Sequence, residues 1–133
     1  MKRLDERTFV TGQIRPQDVP AIKAAGVTSI VNNRPDGEEP GQSTAAEIAQ
    51  AAEAAGLRYR HVPMAGGLSA GLVQDMADAL GEADGPVLAF CRSGTRSTYL
   101  WALAEAQHGA DGDDLIRKAA AAGYDLTPIA RFF

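Results

Sequence analysis

The chain holds one cysteine, Cys91, and only two histidines, His61 and His108, in 133 residues. A lone cysteine excludes an internal disulfide, and a free thiol suits a reducing compartment, so a cytoplasmic location is expected. One cysteine and two histidines are also too few soft ligands for an ordinary structural zinc site. No metal or organic cofactor is implied. Long apolar runs are missing, which excludes a membrane-spanning helix. Lys2 and Arg3 lead into Leu4 and then at once into Asp5, Glu6 and Arg7, so no secretory leader is expected. An excess of positive charge is missing too. The net charge is −4 and the isoelectric point about 5.1, against nucleic acid or an anionic membrane as the main partner. Low-complexity linkers are absent. What remains is 45% apolar and 23% charged residues, the composition of one globular domain spanning residues 1–133.

Strand-like and helix-like segments alternate along that domain. Phe9 to Ile14 reads as a strand and Gln17 to Ala25 as a helix, with Pro20 in its first turn and Gly26 past its end. Val27 to Asn32 is β-branched and compact, a buried strand. Thr44 and Glu47 are spaced as a capping box, opening a helix that runs to Ala55 and stops at Gly56. Leu57 to Met64 is the next strand. Ser69 can cap a helix whose Leu72, Val73, Met76, Ala77 and Leu80 recur at helical spacing. Val87 to Phe90 is apolar on both faces, as in the middle of a parallel sheet. Helices from about Thr95 to Gln107 and about Asp113 to Ala122 come after it. This alternation predicts an α/β fold: three layers, with a mainly parallel central sheet flanked by helices. Ala24-Ala25-Gly26, Ala54-Ala55-Gly56 and Ala121-Ala122-Gly123 look repeated, but they read only as similar helix endings.

The chemistry concentrates in Cys91-Arg92-Ser93-Gly94-Thr95-Arg96-Ser97. Cys91 follows a buried strand, and a helix starts just after the loop. Ligands of open α/β sheets bind at this carboxyl edge. The helix start offers free N–H groups, Gly94 lets successive N–H groups turn inward, and Arg92 and Arg96 add positive charge. Such surroundings favour a thiolate over a thiol. A thiolate at the base of an anion cradle is a nucleophile aimed at an oxyanion or a sulfane sulfur. The plain alternative is a small buried residue at a strand end.

The spacing from Cys91 to Arg96 resembles the Cys-x4-Arg loop of rhodanese-type sulfurtransferases more than the longer Cys-x5-Arg loop of protein tyrosine and dual-specificity phosphatases. Upstream, the strand end at Gly12-Gln13, the segment Val27 to Pro35 and the segment Leu57 to Met64 look phosphatase-like. With Asn33-Arg34-Pro35-Asp36-Gly37-Glu38-Glu39-Pro40 and the Cys91 loop, these stretches resemble the bacterial phosphatase-like, rhodanese-related domain, also found fused to β-lactamase-like persulfide dioxygenases. The resemblance spans about Gly12 to Leu103. It implies a cysteine-phosphatase-like fold, a small anionic or persulfide substrate, and a possible functional link to a persulfide dioxygenase.

Phosphatases of this kind place an Asp upstream of the cysteine as general acid. Here Ala65-Gly66-Gly67-Leu68 follows the relevant strand and offers no carboxylate, and Asp75 and Asp78 read as a solvated helix face. Sulfur transfer needs no such acid. The expectation is therefore a sulfurtransferase in which Cys91 carries a persulfide. The loop Arg92 to Ser97 holds the departing anion, and a thiol or cyanide accepts the sulfur. The alternatives are a phosphatase with Cys91 as nucleophile, or a non-catalytic anion- or persulfide-binding module. A carboxylate reaching the loop from Asp36, Glu38 or Glu39 would discriminate in favour of the phosphatase, although these acids read first as a solvated turn. Arsenate reduction fits less well, because it relays through further cysteines. Arg34 is a possible supporting residue facing the anion. His61 reads as a structurally satisfied histidine, and His108 as a cation at a helix end. Gly66-Gly67 suggests a mobile flap or a plain turn.

Overall fold

The computed structural model describes residues 1–133. Five strands form one sheet: β1 (Lys2–Arg3), β2 (Thr8–Thr11), β3 (Ser29–Asn32), β4 (Arg58–His61) and β5 (Val87–Phe90). Their order is β1-β2-β5-β3-β4. β5 lies centrally and runs parallel to β2 and β3, and β4 runs parallel to β3 at one edge. Only β1, at the other edge, is antiparallel, with Lys2 opposite Val10. The helices are α1 (Val19–Ala24), α2 (Ala45–Ala54), α3 (Ala70–Glu82), α4 (Thr95–Gln107) and α5 (Gly112–Ala121). The expected three-layer α/β architecture is thus present. No helix is long and apolar enough to cross a membrane.

The central strands are buried on both faces, and their alternation sorts side chains into two cores. Val10, Val31, Val87 and Ala89 face a core shared with Met76 and Leu80 of α3, Leu100 and Trp101 of α4, and Leu115 of α5. Ile30, Leu88 and Phe90 face the opposite core, with Ile22 of α1 and Ile48 of α2. Full burial of each such large side chain contributes roughly 1.5–3 kcal/mol. Trp101 is fully buried, and its indole N–H donates to Asp5 Oδ2 at 2.9 Å, tying the N-terminal hairpin to α4.

Local chemistry sets most boundaries. Thr44 and Glu47 form the reciprocal capping box at the start of α2, and Ser69 Oγ accepts the Leu72 N–H at the start of α3. The segment expected as a helix from Gln17 opens instead as a 3-10 turn, Pro16–Asp18, and becomes α-helical only at Val19. Pro20 has no N–H to return to Pro16, so a regular first turn cannot close. Gly26, Gly56 and Gly123 all adopt left-handed φ, at +99°, +76° and +95°, so the three Ala-Ala-Gly segments are helix endings and not a repeat. Two elements were not expected: the two-residue β1 and a 3-10 segment at Thr127–Phe132.

Both margins of the sheet carry cations. Lys2 and Arg3 are exposed on β1, while β4 presents Arg58 and Arg60, paired with Asp84 at 3.7 Å and Glu82 at 2.7 Å.

Candidate active site

Parallel register brings the carboxyl ends of β2, β5 and β3 level: Thr11 and Asn32 both stand beside Phe90. The residues that leave these strands therefore meet at one edge. Cys91 leaves β5 in the middle, Gly12 and Gln13 leave β2 on one side, and Asn33 and Arg34 leave β3 on the other. Cys91 is fully buried. The Gly94 N–H donates to Cys91 Sγ at 3.1 Å, and Gly94 has the left-handed φ of +93° that turns this N–H inward.

The loop carbonyls turn the other way. The Gln13 N–H donates to Arg92 O at 3.3 Å, and Thr98 donates to Gly94 O through both its N–H and its hydroxyl. Gly12 is required here, because a Cβ would stand 2.9 Å from Arg92 O. Ser93 Oγ donates to Thr95 Oγ1 at 3.1 Å across the mouth. Ser97 is fully buried and its hydroxyl has no partner. The Arg92 side chain lies on the outside, with its guanidinium 3.8 Å from Glu39.

Arg96 is the cation at the mouth. Its Nη1 and Nη2 donate in a fork to Glu38 Oε2 and Oε1, each at 2.8 Å, and Nη1 also donates to Met64 O at 3.0 Å. The Glu38 hydrogen bonds push the Arg96 pKa up against the effect of burial, and the charge of the Cys91 sulfur adds to them. Glu38 is held down to about 2, first by Arg96 and then, against its own desolvation, by Arg34. It is ionised at neutral pH. The expectation that Asp36, Glu38 and Glu39 form a solvated turn is thus corrected for Glu38, which reaches the Cys91 loop. Asp36 instead accepts the Ala45 N–H at 2.7 Å at the start of α2.

Arg34 does not face the anion site. Its side chain is completely buried, and it donates to Glu38 Oε1 at 2.7 Å, Glu39 Oε1 at 3.1 Å and Gln13 Oε1 at 3.0 Å. It supports the site one step removed, by holding the carboxylate that holds Arg96. His61 Nε2–H donates to Arg34 O at 2.8 Å, which satisfies it structurally and agrees with the reading from sequence. His108 ends α4. Nowhere do three or more His, Cys, Asp or Glu side chains group as metal ligands. Tyr124 was missed altogether: its hydroxyl donates to Ser93 O at 3.0 Å, 31 positions from the loop residue it touches, so no local pattern marks it.

A buried cysteine met by the inward Gly94 N–H, at the carboxyl edge of a parallel sheet and beside a forked arginine, defines a cysteine-phosphatase-like α/β domain. Residues 1–108 match the model of the phosphatase-like domain of beta-lactamase hydrolase-like proteins, and the chain belongs to that family. The beta-lactamase hydrolase-like protein of Agrobacterium fabrum is 37% identical over 132 residues, covering 98% of this chain and 31% of that protein. The chain therefore spans about a third of the length of this relative. A solved structure from Neisseria meningitidis, provisionally named a phosphatase, is 36% identical with a TM-score of 0.84, covering 98% of this chain and 94% of its own. Tk-PTP in its active form shares the fold at 18% identity, with a TM-score of 0.72 and coverage of 98% and 90%. The matched family and the Neisseria meningitidis structure both carry a phosphatase description, which backs the phosphatase alternative better than the sulfurtransferase expected from loop length.

Proposed function

We propose that the protein is a cysteine-dependent phosphatase acting on small or aryl phosphate monoesters. One observation carries the reading: a carboxylate, Glu38, already fills the Arg96 fork with two oxygens, beside the loop whose Gly94 N–H meets Cys91 Sγ. Arginine holds two carboxylate oxygens and two phosphoryl oxygens with the same planar fork. A substrate phosphoryl group entering the mouth takes the place of Glu38. The Cys91 thiolate then attacks phosphorus. The S–P bond forms as the P–O bond to the leaving group breaks, and that oxygen departs with the electron pair and takes a proton from solvent. Water attacks the phosphocysteine next, breaks the S–P bond and releases phosphate with the thiolate restored. The inward N–H groups and Arg96 stabilise the equatorial oxygens throughout.

Glu38 is paired and ionised, so it supplies no proton in the resting site. The substrates favoured are those whose leaving group is a stable anion, such as aryl phosphates. A missing general acid costs roughly 10²–10⁴-fold on alkyl esters. The short Cys91-to-Arg96 spacing favours a second reading, sulfur transfer, whose leaving groups also depart as stable anions. One assay separates the two. Purified protein is given an aryl phosphate in one arm and thiosulfate with cyanide in the other, each beside Cys91→Ser. Hydrolysis of the aryl phosphate that Cys91→Ser abolishes is expected. Sulfur transfer without hydrolysis would promote the second reading, and inertness in both arms would leave a binding module.

A further inference from the structure

The peptide unit between Ser93 and Gly94 has both of its polar groups committed, in opposite directions. Its N–H donates inward to Cys91 Sγ at 3.1 Å, and its C=O accepts outward from the Tyr124 hydroxyl at 3.0 Å. A flip of this one peptide would withdraw a donor from the sulfur and turn a carbonyl dipole toward it. Because residue 94 is glycine, no Cβ resists the flip from within the loop. The restraint comes from Tyr124. Its ring and hydroxyl close over Gly94 so tightly that a Cβ there would collide with the phenolic oxygen.

Tyr124 is itself held in place by the chain on either side. α5 ends at Ala121, and just past it the Gly123 N–H donates to Ala120 O while the Tyr124 N–H donates to Ala119 O at 2.9 Å. This paired closure turns the chain back toward the sheet edge. Leu126 and Ile129, both buried, anchor the C-terminal segment beyond it in the core. The phenol is pushed above its ordinary pKa by burial first and then by the charge of Cys91, so it keeps its proton and remains a donor at neutral pH.

We infer that Tyr124 is a positioning residue for the nucleophile loop: its hydroxyl locks the Ser93–Gly94 peptide with the N–H facing Cys91. The residue lies beyond position 108, where the match to the family model ends. The inference rests on the reading of this loop as the nucleophile and anion site, and it does not depend on whether phosphorus or sulfur is transferred.

The test uses Tyr124→Phe, which removes only the hydroxyl, and reads neither hydrolysis nor sulfur transfer. Three measurements are made beside an unfolding curve: the rate of Cys91 alkylation by iodoacetamide at neutral pH, the affinity for tungstate as an oxyanion probe, and hydrogen exchange of the Gly94 amide by NMR. With the unfolding midpoint nearly unchanged, alkylation and tungstate affinity each fall about tenfold, a fraction of the loss seen when an oxyanion donor is deleted outright, and Gly94 exchanges faster. Unchanged alkylation, affinity and exchange in folded Tyr124→Phe would overturn the inference. If that variant is unstable, Gly94 exchange in the wild-type protein decides: an amide exchanging as fast as an open loop amide overturns it. Failure to hydrolyse any phosphate ester would sink the proposed phosphatase and leave all three readouts interpretable.

Discussion

Replacing Glu38 by Gln keeps the shape of the side chain and removes the charge shared by Arg34 and Arg96. The carboxyl falls from 4.5 in the unfolded chain to about 2 in the folded one. At about 1.4 kcal/mol per pH unit this sets a ceiling of roughly 3 kcal/mol on its contribution to stability. The carboxylate is 28% exposed, and solvent screening lowers the expected figure to about 1–2 kcal/mol. Because the folded pKa lies below the unfolded one, this stability is fully present above about pH 5 and disappears as the pH falls toward about 2. Urea unfolding of wild type and Glu38→Gln, each measured at pH 7 and near pH 3, isolates the effect. Both proteins lose stability in acid through their other carboxylates, but the gap between them should narrow. A gap as wide near pH 3 as at pH 7 would refute the ion-pair account. The same variant tests the occupancy of the fork: with a neutral amide in place of the competing anion, tungstate should bind more tightly, by up to about tenfold. Weaker binding would mean that Glu38 mainly orients Arg96.

Three further outcomes are expected. Arg96→Lys should keep the fold but lose the fork, lowering tungstate affinity by about 10–100-fold in calorimetry. Gly94→Ala should destabilise the protein by about 1–3 kcal/mol in urea, since alanine meets a φ of +93° and the Tyr124 hydroxyl together. Trp101→Phe should cost about 1–2 kcal/mol by leaving Asp5 Oδ2 without its indole donor, and thermal unfolding followed by circular dichroism reads the loss directly.

The elements with strong local chemistry were legible in the sequence. α4 runs from Thr95 to Gln107 as read, because Gly94 marks its start and the preceding strand is continuously apolar. The capping box at Thr44 and the cap at Ser69 likewise act over a few residues. β1 was not legible, since two residues become a strand only by pairing with β2. The site divided the same way. Cys91, Gly94 and Arg96 share one loop and were found together. Glu38 was read as a solvated acid because its partner Arg96 lies 58 positions away, and nothing near it in sequence announces the contact. Arg34 reads from sequence as a supporting residue that could face the anion. An arginine after a buried strand can turn inward or outward, and here the pull of Gln13, Glu38 and Glu39 turns it in.

The charged margins of the sheet bear on how these molecules meet each other. An uncapped strand edge is a template, ready to recruit the matching edge of a neighbour and extend one sheet through many molecules. At one margin that template is only two residues long and consists of Lys2 and Arg3; at the other it bears Arg58 and Arg60. Joining like margins sets cation against cation. Joining unlike margins does the same, because both carry the same sign, and the ion pairs to Asp84 and Glu82 would have to be rearranged first. Growth of fibres by strand addition is therefore opposed at every available seam, and crowded solutions of the folded protein should stay clear of them.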